Sequence, residues 1–238
     1  MKPLVTVVVP FYNEEQAVPA MGEQVDAVFA DLPGYLHECI YVNDGSTDGT
    51  HAALEALRTR GDHIHPVHLV ENCGQSAALV TGMRRAQGDF VLMFDGDLQN
   101  DPADIPKMLA LLQDYDCAFG YRGRRQDSSF KKLSSAIGNG MRQFMLRDGI
   151  RDAGCGSKGF RRVCMAHIIS FNGMHRYFGV IMRAAGMRIV EFEATHHPRR
   201  HGTSKYGVHN RLWRGIYDLL GVAWLNKRYV APQVEEER

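Results

Sequence analysis

Residues 90–102 read FVLMFDGDLQNDP, and the break in the middle of them decides the fold. Phe90 to Phe94 is a continuous apolar run of strand length, and Asp95-Gly96-Asp97 follows it without a spacer. A run with no polar alternation belongs to a buried strand of a parallel sheet. The same unit recurs on either side. Leu4 to Val9, Ile40 to Asn43, Ile64 to Val70 and Cys117 to Tyr121 are further strand-length runs. Between them, Glu15 to Ala30 carries Val18, Met21, Val25 and Phe29 at helical spacing, and helices are predicted over Asp48–Arg58, Ser76–Ala86 and Ile105–Leu112. This alternation predicts an α/β fold, a mostly parallel central sheet flanked by helices.

Ligands of such sheets bind just beyond the carboxyl ends of the strands. Polar clusters gather there: Asn13-Glu14 after the first strand, Asp44-Gly45-Ser46 after the second, Asp95-Gly96-Asp97 after the fourth. Neither a G-x-G-x-x-G fingerprint nor a P-loop follows the first strand, which disfavours a nicotinamide dehydrogenase or a P-loop kinase. Carboxylates at i and i+2 in a loop can converge on magnesium or manganese, with phosphate oxygens and water as the other ligands. Gln99 would add a carbonyl oxygen. The same pair also suits a tight turn, and Asp101 before Pro102 suits a helix cap. Asp44 can accept hydrogen bonds from a base or ribose, although DGSTDGT (44–50) would turn tightly in any protein and Asp48 can cap the next helix. Pro10, Tyr12 and Glu14 face the same edge. Tyr12 could lie along a base and Glu14 bind its polar edge, or each could serve structure alone. Asn72, Gly74 and Gln75 form a third approach.

The chain has 238 residues, 45% hydrophobic and 23% charged, enough for one substantial core. No run of about 18 apolar residues occurs, and the N-terminal apolar run is shorter than a signal peptide needs. Five cysteines without paired close spacing read as reduced thiols of a cytoplasmic protein rather than a zinc site. The formal net charge of +1 conceals an asymmetry: residues 1–118 hold 6 Lys+Arg against 18 Asp+Glu, and residues 119–238 hold 22 against 9. An acidic half argues against a nucleic-acid groove and suits a protein that holds a cation on one side and phosphates on the other.

Beyond Tyr121 the pattern changes. Arg122 to Lys132 is basic, Leu133 to Leu146 reads as a helix, and Arg151 to Phe160 is glycine-rich with Asp152 inside it. Met187 to Phe192 reads as a strand and His196 to Tyr206 as a basic loop, in which His196 and His197 bind phosphate or cap the strand. Val208 to Asn226 carries one stripe of Leu212, Ile216, Leu219 and Ala223 and another of Trp213, Tyr217, Leu220 and Trp224. Aromatic residues beside Arg211, Arg214, Lys227 and Arg228 suit a membrane interface, and packing on the sheet would give the same pattern.

The words VVVPFYNEE (7–15), YVNDGSTDGT (41–50), NCGQSAALVTGMRRAQGD (72–89), DGDLQNDP (95–102) and DAGCGSKGFRR (152–162), in this order, resemble the family 2 glycosyltransferases. More narrowly they are similar to the polyprenyl-phosphate sugar transferases, the dolichol-phosphate mannose synthase group and its bacterial relatives. HHPRRHGTSKYG (196–207) points to that branch, and no Q-x-x-R-W word of the processive synthases is present. The resemblance implies a GT-A nucleotide-sugar-binding fold as a single domain over 1–226. Within it, 1–121 is the nucleotide-sugar and metal half, 122–207 the acceptor half, 208–226 a C-terminal amphipathic interfacial helix, and 227–238 a tail.

The resemblance also implies roles. Asp95, Asp97 and Gln99 hold magnesium or manganese. Pro10, Tyr12, Glu14 and Asp44 bind the nucleotide and Asp95 the donor diphosphate, and Asn72 and Gln75, by their place after the third strand, join them at the sugar nucleotide. Arg122, Lys132, Arg200 and Lys205 hold the acceptor phosphate, with Asp97, Arg122, Asp152 and Lys205 at the chemistry. The implied reaction is inverting transfer from a UDP- or GDP-sugar to undecaprenyl or dolichyl phosphate. A phosphate monoester, with a second pKa of about 6, needs no strong base. A hydroxyl acceptor on a glycolipid or cell-envelope glycan would need one, and Asp152 is the candidate. A non-catalytic sugar-nucleotide-binding partner of a membrane protein is the reading from another class. Partners implied are the donor, the lipid acceptor, the cytoplasmic face of the membrane and a separate small membrane protein as anchor. Self-association stays open, and no nucleic acid is expected.

Overall fold

The computed structural model describes residues 1–123, 140–198 and 208–230, the side chains of 208–214 excepted. In chain order these form β1 (Leu4–Phe11), α1 (Ala17–Ala30), β2 (Leu36–Asn43), α2 (Thr50–Arg58), β3 (Ile64–His68), α3 (Gln75–Arg85), β4 (Phe90–Met93), α4 (Ile105–Asp114), β5 (Cys117–Tyr121), α5 (140–146), β6 (Lys158–Arg161), α6 (Phe178–Ala184), β7 (Ile189–Glu193) and α7 (Val208–Arg228). One seven-stranded sheet runs in the order β3-β2-β1-β4-β6-β5-β7. β1 to β4 are mutually parallel, β6 is antiparallel to both β4 and β5, and β7 is parallel to β5.

The alternation of β1 sorts the core into two layers. Val5, Val7, Val9 and Phe11 pack with residues of α1, α2 and α4, while Val8 joins Ile40, Val42 and residues of α3 and α6 on the other face. Val7, Val8 and Val9 are fully buried. Burying each stabilises by about 1.5–3 kcal/mol, so β1 needs helices on both faces.

Two elements go beyond the sequence reading. β6 lies in the glycine-rich stretch, where Ser157-Lys158-Gly159-Phe160 offers no clean alternation. Gly159 is required by packing: a Cβ there would sit 3.0 Å from the side chains of Leu92 and Leu112. α6 escapes because Phe178, Gly179, Val180, Ile181 and Met182 are all buried, and a helix apolar all round has no amphipathic stripe to read. The helix expected from Leu133 is described only over 140–146. α7 buries Leu219 and Val222 against Leu146, Tyr177 and Val180, while Tyr217, Leu220 and Trp224 are exposed. Among the described residues no helix is long and apolar enough to cross a membrane.

Candidate functional site

The parallel register places the expected polar clusters along one edge. Phe11 pairs with Asn43 and Val8 with Met93, so the loops after β1, β2 and β4 leave the sheet side by side. The first two are knitted together. Asn13, in the left-handed region at φ 52°, donates its backbone N–H to Ser46 Oγ at 2.9 Å, and its side-chain oxygen accepts from Thr47 N at 2.8 Å. The Glu14 N–H donates to Thr50 Oγ1 at 2.9 Å. Pro10 is buried inside β1, with its carbonyl against Gly96. Tyr12 and Glu14 follow it at this edge, both partly buried.

Asp44 is more occupied than the sequence suggested. Its Oδ1 accepts from Cys73 N at 2.8 Å, and its Oδ2 from Asn72 Nδ2 at 2.9 Å and Gly74 N at 3.0 Å. Burial raises its pKa, and the backbone N–H groups of Cys73 and Gly74 pull it back. Asp44 and Asn72 therefore clamp the loop that starts α3, and a nucleotide would have to share that carboxylate. Gln75 likewise is turned to the acidic pair, donating from Nε2 to Asp95 Oδ1 at 2.7 Å.

Asp95 and Asp97 sit beyond β4. Leu98 between Asp97 and Gln99 is held at φ 58°, a costly conformation for a non-glycine residue and one that tends to cluster at functional sites. Gln99 N donates to Asp97 Oδ1 at 3.2 Å, and Gln99 O accepts from His197 N at 2.8 Å. Asn100 bridges His196, and His197 Nε2 lies 2.8 Å from Asp101 Oδ2, so the acidic loop is sutured to the start of the basic segment. This pairing ties the His197 ring to Asp101. Asp101 caps as expected, accepting from Ala103 N at 2.8 Å ahead of Pro102. Gly156 lies against the pair, where a Cβ would fall 2.3 Å from Asp95 Oδ2.

Asp95 is pushed up to about 6, first by burial and then by the charge of Asp97, against the pull of Lys158, Arg122 and Gln75. A buried carboxylate raised by its neighbour's charge in this way is relieved by a cation, and an all-oxygen donor set suits magnesium or manganese. The sign follows from the raised folded value. Ionised Asp95 costs the metal-free fold stability above pH 6, and that cost is relieved as pH falls through 6 towards the unfolded 3.8. The span is on the order of 3 kcal/mol. A divalent cation reverses this, so magnesium should raise Tm by several degrees at pH 7.5 and lose that effect at pH 5. Differential scanning fluorimetry checks it, and an equal gain at both pH values would remove Asp95 from the ligand set.

Arg122 and Asp152 form a bidentate ion pair. Nε donates to Oδ2 at 2.7 Å and Nη2 to Oδ1 at 2.9 Å, and Gly154 N adds a third bond at 3.2 Å. Burial alone would lower the Arg122 pKa, but Asp152 more than offsets it and the guanidinium stays charged. The expected basic residues Lys132, Arg200 and Lys205 lie outside the described residues.

Sequence reasoning missed the wall behind Asp95. A cavity of about 210 Å³ is lined there by Gln75, Asp95, Gly156, Lys158, His175 and Arg176, among others. Lys158 is buried on β6, bonded to the carbonyls of Ala153 and Cys155, and burial lowers its pKa. His175 Nδ1 lies 2.8 Å from Ser76 Oγ, which accepts from Gly173 N at 2.9 Å. Burial, with Arg176 and Lys158 nearby, pushes His175 down to about 3, so it is neutral and hydrogen-bonds without shuttling protons. DAGCGSKGFRR contained Lys158, but a lysine in a polar stretch reads as surface. Nothing periodic marks His175 and Arg176.

Carboxylates, a polar cavity and an ion-paired arginine gather at the carboxyl edge of this sheet. Residues 6–168 match the model of glycosyl transferase family 2, and the chain belongs to that family. It is 36% identical over 236 residues to the dodecaprenyl-phosphate galacturonate synthase of Rhizobium johnstonii, covering 95% of this chain and 68% of the relative. It is also 36% identical over 219 residues to the undecaprenyl-phosphate 4-deoxy-4-formamido-L-arabinose transferase of Aeromonas hydrophila, covering 91% and 67%. The chain thus spans about two thirds of the length of these curated relatives. Among solved structures, glucosyl-3-phosphoglycerate synthase of Mycobacterium tuberculosis with Mn2+, UDP and glucosyl-3-phosphoglycerate superposes with a TM-score of 0.69 at 15% identity, covering 94% of this chain and 80% of that one. The Pyrobaculum calidifontis mannosyltransferase with GDP-Man and Mn2+ gives 0.61 at 20% identity, covering 98% and 66%.

Proposed function

We propose that this chain transfers a sugar from a UDP- or GDP-sugar to a polyprenyl phosphate, with inversion at the anomeric carbon. The observation that carries this reading is the engagement of Asp152 by Arg122. A carboxylate held bidentately by a guanidinium is a poor base, and a hydroxyl acceptor would need a good one. A phosphate acceptor is already ionised and needs a cation, which Arg122 supplies. The polyprenyl-phosphate products in the names of both relatives support the same acceptor class.

Magnesium or manganese held by Asp95, Asp97 and Gln99 would neutralise the departing diphosphate. Gln75 orients Asp95 towards that task, and the loop clamped by Asp44 and Asn72 carries the nucleotide wall with Tyr12 and Glu14. The cavity beyond Asp95 receives the transferred sugar, with neutral His175 and Arg176 in its lining. Lys132, Arg200 and Lys205 add positive charge for the two phosphorylated substrates. The exposed Tyr217, Leu220 and Trp224 of α7, with Lys227 and Arg228 in its last turn, lie at the membrane interface on the cytoplasmic face, as does Phe144 of α5.

The test is turnover. Purified protein with magnesium or manganese is offered a panel of labelled UDP- and GDP-sugars with short polyprenyl phosphates. One donor should carry label into the lipid phase. Transfer to a polyprenol or glycolipid hydroxyl but not to the phosphate would favour the hydroxyl-acceptor reading. No transfer from any donor, even with membranes of the source cell added, would leave only the sugar-nucleotide-binding reading.

A further inference from the structure

At the opposite end of the sheet, three metal-ligating side chains converge from three elements. His37 is the second residue of β2, and the six residues from it to Asn43 carry the strand about 20 Å to the sugar-nucleotide edge. Asp26 projects from α1, and His63 precedes β3. His63 Nε2 lies 3.1 Å and His37 Nε2 3.7 Å from the same oxygen, Asp26 Oδ1. All three ligand atoms fall within 4.8 Å of one another.

The hydrogen bonding of this group is incomplete. His37 Nε2 is buried without a partner, because 3.7 Å is beyond hydrogen-bond reach. Burying a ring nitrogen unsatisfied is costly, and such an atom takes a water or a ligand as its partner. The ring cannot turn away easily: it stacks on Phe29 with centroids 4.2 Å apart and planes 4° from parallel. Arg60 Nη2 stands 3.7 Å from Asp26 Oδ2, which leaves Oδ1 facing the two imidazoles. Such an outer partner orients a ligating carboxylate.

We propose that Asp26, His37 and His63 form a structural site for a borderline transition-metal ion, zinc foremost, separate from the catalytic carboxylates. Donors at about 2.0–2.1 Å around a tetrahedral ion stand about 3.3 Å apart, close to the 3.1 Å of the His63 edge, and the longer edges at His37 contract to reach it. Two imidazoles and a carboxylate favour zinc, cobalt or nickel over magnesium. Side-chain exposures of 21% for His37, 27% for Asp26 and 29% for His63 leave a fourth position to water. Burial and the neighbouring His63 keep His37 below its ordinary pKa, against the pull of Asp26. The ion would tie α1 and β2 to the entry of β3, the edge strand.

A second group, His51, Glu55 and His68, makes a useful control. Asn43 Oδ1 accepts from Ser46 N at 2.9 Å, which fixes Asn43 Nδ2 as donor to His68 Nδ1 at 3.2 Å. The His68 proton is then on Nε2, donated to Glu55 Oε1 at 2.9 Å. Every polar atom of that ring is satisfied without a metal.

The experiment titrates Co2+ into the full chain carrying Asp95→Asn and Asp97→Asn, in excess magnesium, and reads visible ligand-field absorption. One equivalent should bind with the intense bands of a four- or five-coordinate site, zinc should displace it, and zinc should raise Tm by about 5–10 °C at a hundredfold excess over Kd. Adding His63→Gln or Asp26→Asn should each weaken binding at least tenfold, while His51→Gln leaves it unchanged. Absence of the bands, an affinity within tenfold of the parent in either of those two variants, or dependence on His51 would overturn the proposal.

Discussion

Asp97→Ala is expected to fold as the parent does and to transfer sugar at least about a thousandfold more slowly, a loss of about 4 kcal/mol in transition-state stabilisation. The two halves of that expectation have one cause. The charge of Asp97 is the second largest influence raising the Asp95 pKa, after burial. Without metal the pair is a local repulsion, so removing Asp97 should leave Tm in EDTA equal to or slightly above that of the parent. If Asp97 holds the metal, the same charge becomes a ligand, and the variant should lose both the magnesium-dependent rise in Tm and turnover. Fluorimetry with and without EDTA, beside the lipid-phase transfer assay, checks both halves on one preparation. Turnover at the parent rate would take Asp97 out of the metal site. A collapsed Tm in EDTA would make it a structural residue instead.

The chain alone exposed the strands and the acidic edge because both rest on local signals. Leu4 to Val9 and Phe90 to Phe94 announce buried strands by the absence of alternation, and Asp95, Asp97 and Asp101 announce themselves by following a strand or preceding a proline. Asp101 fulfils its local rule to the atom, capping onto Ala103 N. What stayed hidden depends on tertiary pairing. β6 is antiparallel between two strands far away in sequence, and only there does Gly159 make sense as the residue that lets Leu92 and Leu112 approach. Lys158 becomes a member of the site because β6 carries it beneath Asp95, and His175 because Ser76, 99 positions earlier, holds its ring. Asp44 shows the converse. Its place at the edge was legible, but its carboxylate serves Asn72, Cys73 and Gly74, partners that no spacing rule names.

Asp152→Asn should separate a positioning role from a chemical one. The carboxylate and Arg122 are 11% and 20% exposed, and removing one partner of a well-buried pair costs about 3–5 kcal/mol. Discounted for this partial exposure the loss is about 2–3 kcal/mol, which for a chain of this size lowers Tm by about 4–12 °C. The asparagine keeps the shape and can still accept one bond from the guanidinium, so the fold should survive. If Asp152 acts through Arg122, the variant raises KM for the polyprenyl phosphate while kcat stays within about tenfold, and a cycle with Arg122→Ala is strongly non-additive, since either change alone already frees the other side chain. If Asp152 instead takes a proton from a hydroxyl acceptor, kcat falls by about 10² to 10⁴ at unchanged KM, and the acidic limb of the pH–rate profile disappears. The bidentate geometry, with both carboxylate oxygens engaged at 2.7 and 2.9 Å, favours the first outcome. A carboxylate so held has its lone pairs directed at Arg122, and proton abstraction would require breaking the contact that fixes the arginine in place.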